Sequence, residues 1–198
     1  MKETRSRRLN YHSFCTMTPS TLKYFYRHSQ RALAAALLML CWVTSSQADA
    51  GAKIVATPYA EQKAVFEFYF DHPEKIGGAL YWILGMFHTL NEEPYAIAPD
   101  FVDVKVVLHG TEIVTLARHN YEKYRDVVER MRYYTEFGVE FRVCALSAAE
   151  FGYTPEDFHD FVHIVPNAVT ELVHWQSKGY SLIIPQVPEK HHSIEELK

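Results

Sequence analysis

The chain has 198 residues, 48% of them hydrophobic and 22% charged, with a formal net charge of −4 and three cysteines. That balance gives no electrostatic reason to seek nucleic-acid phosphates. Three cysteines are also too few for a disulfide-stapled scaffold, so the fold has to rest on an apolar core.

Residues 1–50 do not read as fold. Arg27 and Arg31 precede the apolar run "ALAAALLMLCWV" (32–43), and "TSSQADA" follows it. A basic segment, a short apolar stretch and a small-x-small end at Ala48-Asp49-Ala50 make a secretory signal peptide, with cleavage expected after Ala50 and the mature protein expected in the periplasm. The run is short for the roughly 30 Å of a bilayer's hydrocarbon core, so no membrane anchor is expected after cleavage. Cys41 follows Leu40 rather than a small residue, which argues against lipidation, and Met17 is an alternative start. Removing the leader leaves 13 basic and 22 acidic residues, a net charge of −9, which strengthens the exclusion of nucleic acid. Cys15 and Cys41 leave with it, and Cys144 remains alone. Residues 51–198 suffice for a single domain, with a loose polar tail from about Val187.

In chain order, "KAVFEFYF" (63–70) is β-branched and aromatic and reads as a strand, stopped by Asp71-His72-Pro73. Ile76, Leu80, Ile83, Leu84 and Phe87 recur at helical spacing and predict an amphipathic helix to about Leu90. "NEEPYAIAPDF" reads as a loop. "VDVKVVLHG" (102–110) is a strand whose Val106-Val107-Leu108 run does not alternate, which suits a strand covered on both faces. Asn120 is placed to cap a helix bearing Tyr124, Val127, Val128, Met131 and Tyr134, which Gly138 ends. "VEFRV" (139–143) and "HIV" (163–165) read as the next strands. Asn167 is placed to cap a helix stopped by Gly179, and "YSLII" (180–184) is the last strand. Strand–helix alternation with short connections predicts an α/β fold, a three-layer α/β/α domain with a mostly parallel five-stranded sheet.

In such sheets ligands sit beyond the carboxyl ends of the strands. After Phe70, "DHPEKIGGA" holds two glycines but no Gly-x-Gly-x-x-Gly and no Gly-Lys-Ser/Thr, so no nucleotide or flavin cofactor is expected, and Gly77 and Gly78 suit close packing at the helix start. After Leu108 comes His109, which could act as acid, base or ligand, or merely tie down its loop. After Val143 comes Cys144, in "EFRVCALSAAEFG" (140–152). Ser147 and Glu150 fit a capping box, so a helix is expected about three residues past the thiol, and Pro155 opens another that runs to about Phe161. A thiol pointing at a helix N-terminus is favoured as thiolate. The competing reading is a small buried hydrophobe. His159 and His163 lie four apart, but the intervening residues do not support a zinc helix and no metal is expected. No Gly-x-Ser-x-Gly elbow is present.

Three blocks together, "VKVVLHG" (104–110), "VVERMRYYTEFGVEFRVCALSAAEFGYTPEDF" (127–158) and "HIVPNAVTELVHWQSKGYSLIIP" (163–185), resemble the DsrE/DsrF-like proteins, most closely a secreted branch. The resemblance implies a compact α/β/α domain, a homo-oligomer (trimer or hexamer), and sulfur relay through a persulfide on the cysteine after a central strand, here Cys144. His109 matches a histidine of the secreted branch. The chain departs from the relay proteins at Glu150-Phe151-Gly152, where they tend to carry a basic residue. Two functions follow as expectations. One is a periplasmic persulfide carrier using Cys144 and His109, with a thiol-containing donor or acceptor protein as partner. The other is a non-catalytic small-ligand-binding or assembly module of the same fold, with Tyr133, Tyr134 and Trp175 as candidate surface.

Overall fold

Five strands, β1 (Gln62–Phe68), β2 (Val102–Leu108), β3 (Glu140–Cys144), β4 (Val162–Val165) and β5 (Ser181–Ile183), form one sheet in the order β4-β3-β2-β1-β5. Every pair in it is parallel. The computed structural model describes residues 51–198, and the leader expected over 1–50 lies outside the described residues. Helices α1 (Lys75–Asn91), α2 (Tyr121–Thr135), α3 (Ala145–Glu150), α4 (Ala168–Ser177) and the four-residue α5 (Ile194–Leu197) connect or follow the strands. Ala56–Lys198 make one compact unit. No described helix is long and apolar enough to cross a membrane.

The faces of the sheet differ because the chain turns back once. From β1 to β4 it steps one strand at a time in one direction, and right-handed crossovers then place all the intervening helices on one face. Ile76, Leu80 and Ile83 of α1, Val128 and Met131 of α2, Ala148 of α3 and Phe158 bury there against Phe66, Phe68, Val106, Leu108, Phe141 and Val143. After β4 the chain returns past the whole sheet to β5, so the same handedness sends α4 to the opposite face. That face has a smaller core of Val65, Val107, Cys144, Ala168, Leu172 and Tyr180. Between β3 and β4 successive helices therefore depart to opposite sides, the kind of switch point at which open α/β sheets form their crevices.

Local chemistry explains several boundaries. β2 is central and all but one of its side chains are buried, which is why its apolar run does not alternate. Asn167 caps α4, its Oδ1 accepting from the Thr170 amide at 3.1 Å. Gly138 and Gly179 adopt φ of +81° and +87°, the left-handed turns that end the helical segments before β3 and β5.

Three expectations are corrected. Asn120 precedes α2 but does not cap it through its side chain, because its Nδ2 donates to the Val114 carbonyl instead. Ser147 is not a cap either: α3 begins directly after β3 with Cys144 at the N-cap position. Pro155 opens only a 3-10 turn over Pro155–Asp157, since the Thr154–Asp157 box closes on itself and Phe158 must turn into the core. Val187, where the polar tail begins, packs its side chain against the larger core, with Cγ1 so near Gly78 that a Cβ there would stand 2.7 Å away, and the residues after it are exposed.

Candidate functional site at the carboxyl ends of the strands

Cys144 closes β3 and is paired with Val165 of β4, at the switch point. Side chains on β3 alternate, so Phe141 and Val143 enter the larger core while Arg142 and Cys144 share the opposite face. The thiol is 3% exposed and, among the described residues, bonded to no other cysteine. It is buried, yet not among side chains alone. Burial lifts the thiol's pKa, but the Ser147 amide and hydroxyl and the amides of Ala168 and Leu146 donate toward the sulfur and together bring it below the ordinary value. Two of those amides belong to the first turn of α3, whereas Ala168 is the first residue of α4. Sulfur charge is thus met by two helix starts arriving from opposite faces of the sheet.

His109 follows β2 directly. Leu108 is paired with Val143, so His109, just past β2, and Cys144, the last residue of β3, occupy matching positions on adjacent strands. Both lie on the side of the sheet that α4 covers, but no hydrogen bond joins them. His109 instead places Nε2 3.0 Å from Glu67 Oε1 and stacks on Tyr69, with ring centroids 4.7 Å apart and planes inclined by 15°. Glu67 and Tyr69 come from the end of β1, on the same face as Val65. The sequence reading did not single them out, although the period-2 alternation of β1 was the signal that could have grouped them.

A fully buried carboxylate holds this loop. Glu112 Oε1 accepts from the amides of His109 at 3.0 Å and Gly110 at 2.8 Å, and Oε2 from the amide of Phe70 at 3.0 Å. Burial raises the Glu112 carboxyl above its ordinary pKa, against the pull of those amides. The clamp ties the exits of β1 and β2 together and leaves no room beside Gly110. Above it lies a cavity of about 400 Å³ lined by Tyr69, Asp71, His109, Thr111, Glu150 and Phe151 among others. Cys144 does not line it.

Of the other candidates, His159 and His163 are not brought together as ligands. The ring of His159 is stacked on Phe161, and His163 is exposed on β4. Among the described residues no group of three or more His, Cys, Asp or Glu side chains converges on a possible ion. Tyr133 is 52% exposed, Tyr134 is buried, and Trp175 packs against the smaller core.

The DsrE/DsrF-like family profile matches residues 62–185, which include every strand and both candidate residues. Among solved structures, the fold is similar to the protein of unknown function MTH1491 from Methanobacterium thermoautotrophicum, at 20% identity and a TM-score of 0.50, over 63% of this chain and 99% of that one. The ychN protein from E. coli is similar at 15% identity and a TM-score of 0.44, over 62% of this chain and 98% of that one. No curated protein sequence matches.

Proposed function

The chain belongs to the DsrE/DsrF-like family, and from that membership we propose that it handles sulfur, as a periplasmic persulfide carrier whose working atom is Cys144 Sγ. The observation that carries the reading is the convergence of Ser147, Leu146 and Ala168 amides on that sulfur, which favours the anion a nucleophile needs. In the first step the Cys144 thiolate attacks the outer sulfur of a donor persulfide. A new S–S bond forms to Sγ, the donor's S–S bond breaks, and the donor leaves as thiolate with the electron pair. In the second, an acceptor thiolate attacks the outer sulfur now on Cys144, and the Cys144 thiolate is the leaving group. No external oxidant or reductant enters. His109, oriented by Glu67 and Tyr69 at the matching position of the neighbouring strand, is suited to hold or release the proton of the transferred sulfur.

The partner is a thiol-bearing donor or acceptor protein. Several copies of the chain are proposed to assemble as a trimer or hexamer, a reading supported by the exposed Tyr81, Trp82 and Leu84 on α1. The test is incubation of the native full-length protein with a small-molecule persulfide, followed by digestion and mass measurement of the peptide containing Cys144. A gain of one sulfur atom on that peptide, absent from Cys144→Ser, is expected. A peptide that gains sulfur only after the protein is denatured refutes the carrier reading.

One observation favours a second reading. With Cys144 only 3% exposed, the thiol can be a core residue and the cavity beside His109 the site of a bound small ligand in a non-catalytic module. That reading expects Cys144→Ser to leave every activity unchanged and to alter stability by about 1 kcal/mol.

A further inference from the structure

Carrier chemistry needs a reachable thiol, and the covering elements are unequally held. α3 is the direct continuation of β3, and Ala148 fixes it in the larger core. α4 has only Ala168 and Leu172 buried, in a cluster of six buried residues against 23 on the other face. Val169 and Val173 on its outer side are 63% and 61% exposed.

Trp175 also packs on that cluster, against the Tyr180 ring, and the remaining ties of α4 are polar. Glu171 Oε1 accepts from Arg142 Nε at 2.5 Å and from Trp175 Nε1 at 2.7 Å. The Arg142 guanidinium lies 5.2 Å from the Trp175 ring centroid, and its Nη1 also reaches Glu140 at 2.5 Å. Arg142 is two residues before Cys144 on the same strand face, so this cluster grips α4 next to the thiol it covers. Elements held by few buried apolar contacts are the ones that open locally, below the free energy of global unfolding.

We propose that Arg142, Glu171 and Trp175 form a latch that controls access to Cys144. Closed, it keeps the start of α4 and the Ala168 amide on the sulfur. Open, the amino-terminal half of α4 lifts and the thiol meets solvent or a donor. The latch gives the carrier reading its route of entry and rests on that reading only for the purpose of the opening.

The test is the rate at which iodoacetamide labels Cys144 in native full-length protein, read on the peptide that contains it. It is run at alkaline pH values where the rate no longer rises with pH, so that access and not ionisation is measured. Glu171→Ala is expected to raise the rate roughly tenfold, the equivalent of one charge-assisted hydrogen bond lost from the closed state. Trp175→Phe, which loses the indole N–H and part of the ring but keeps an aromatic face for Arg142, is expected to raise it less, and serves if Glu171→Ala does not fold. Leu90→Ala, in the larger core, lowers global stability without touching the latch and is expected to leave the native-state rate unchanged. Rates for both latch variants equal to wild type, or a rise matched by Leu90→Ala, overturn the latch. Faster labelling in the latch variants with no persulfide on the Cys144 peptide of any variant leaves the latch standing and removes the carrier.

Discussion

Lys105 is a stringent test of how the α4 side of the sheet is held. Its side chain is 7% exposed, and its Nζ lies 2.8 Å from Asp103 Oδ1 and 2.7 Å from Glu140 Oε1, with the Trp175 ring centroid 5.0 Å away. Lys105→Met keeps the length of the side chain and removes the charge. Removing one partner of a buried ion pair costs about 3–5 kcal/mol. Here Asp103 and Glu140 remain 41% and 33% exposed and keep Tyr180 and Arg142 as partners, so water and those groups offset part of the loss. A cost of about 2 kcal/mol at neutral pH is expected. The pH dependence supplies the sharper check. Burial raises both carboxyls, but the bonds to Lys105 and their other partners hold them below the ordinary carboxylate value. Depressed carboxyls contribute stability that is present above their unfolded pKa and lost as pH falls through the folded one. Urea unfolding at neutral pH and again near pH 3 (about the lower edge of the carboxyl range) should therefore show the gap between wild type and Lys105→Met narrowing on acidification. A gap of the same size at both pH values, or none at neutral pH, refutes the reasoning.

Further outcomes concern two glycines and the thiol. Gly110→Ala should lose about 3 kcal/mol or more in urea unfolding, because its Cβ would stand 2.5 Å from the Phe70 nitrogen and 2.6 Å from Glu112 Oε2, while Gly85→Ala, with open space in the middle of α1, should gain about 0.5–1 kcal/mol. The labelling rate of native Cys144 should reach half its maximum at a lower pH than the same peptide in urea, and the depressed thiol should add stability above the ordinary thiol pKa that is lost as pH falls through the folded one; coincident curves would remove the role given to the Ala168 and Ser147 amides.

The sequence made the layer structure legible because its signals there are local. The unbroken Val106-Val107-Leu108 run, the Asn167 cap and the glycines after the helices each report on their own neighbourhood. The place of Cys144, between a strand and a helix start, was legible for the same reason. The register of that helix start was not legible, since Ser147 and Glu150 match a capping box that the chain bypasses by entering α3 straight from β3. The surroundings of His109 were hidden for a different reason. Glu67 lies 42 residues before it, and Glu112 reaches Phe70 across 42 residues, so their meeting depends on strand register rather than spacing. The Lys105–Glu140–Arg142–Glu171–Trp175 cluster is the same case: five polar or amphipathic residues on three elements, each unremarkable in its own segment. Pro155 is a signal that was real but outweighed, because a longer helix there would have kept Phe158 out of the core.

The two rims of the sheet have a consequence for how copies of this chain could meet. β4 and β5, the outermost strands, are four and three residues long. So little free backbone can accept only a bond or two from a visiting strand, which makes the rims poor templates for runaway stacking and equally poor joints for a regulated complex. Any multimer is left to be built through helix surfaces, where side-chain identity decides who may join and who is turned away.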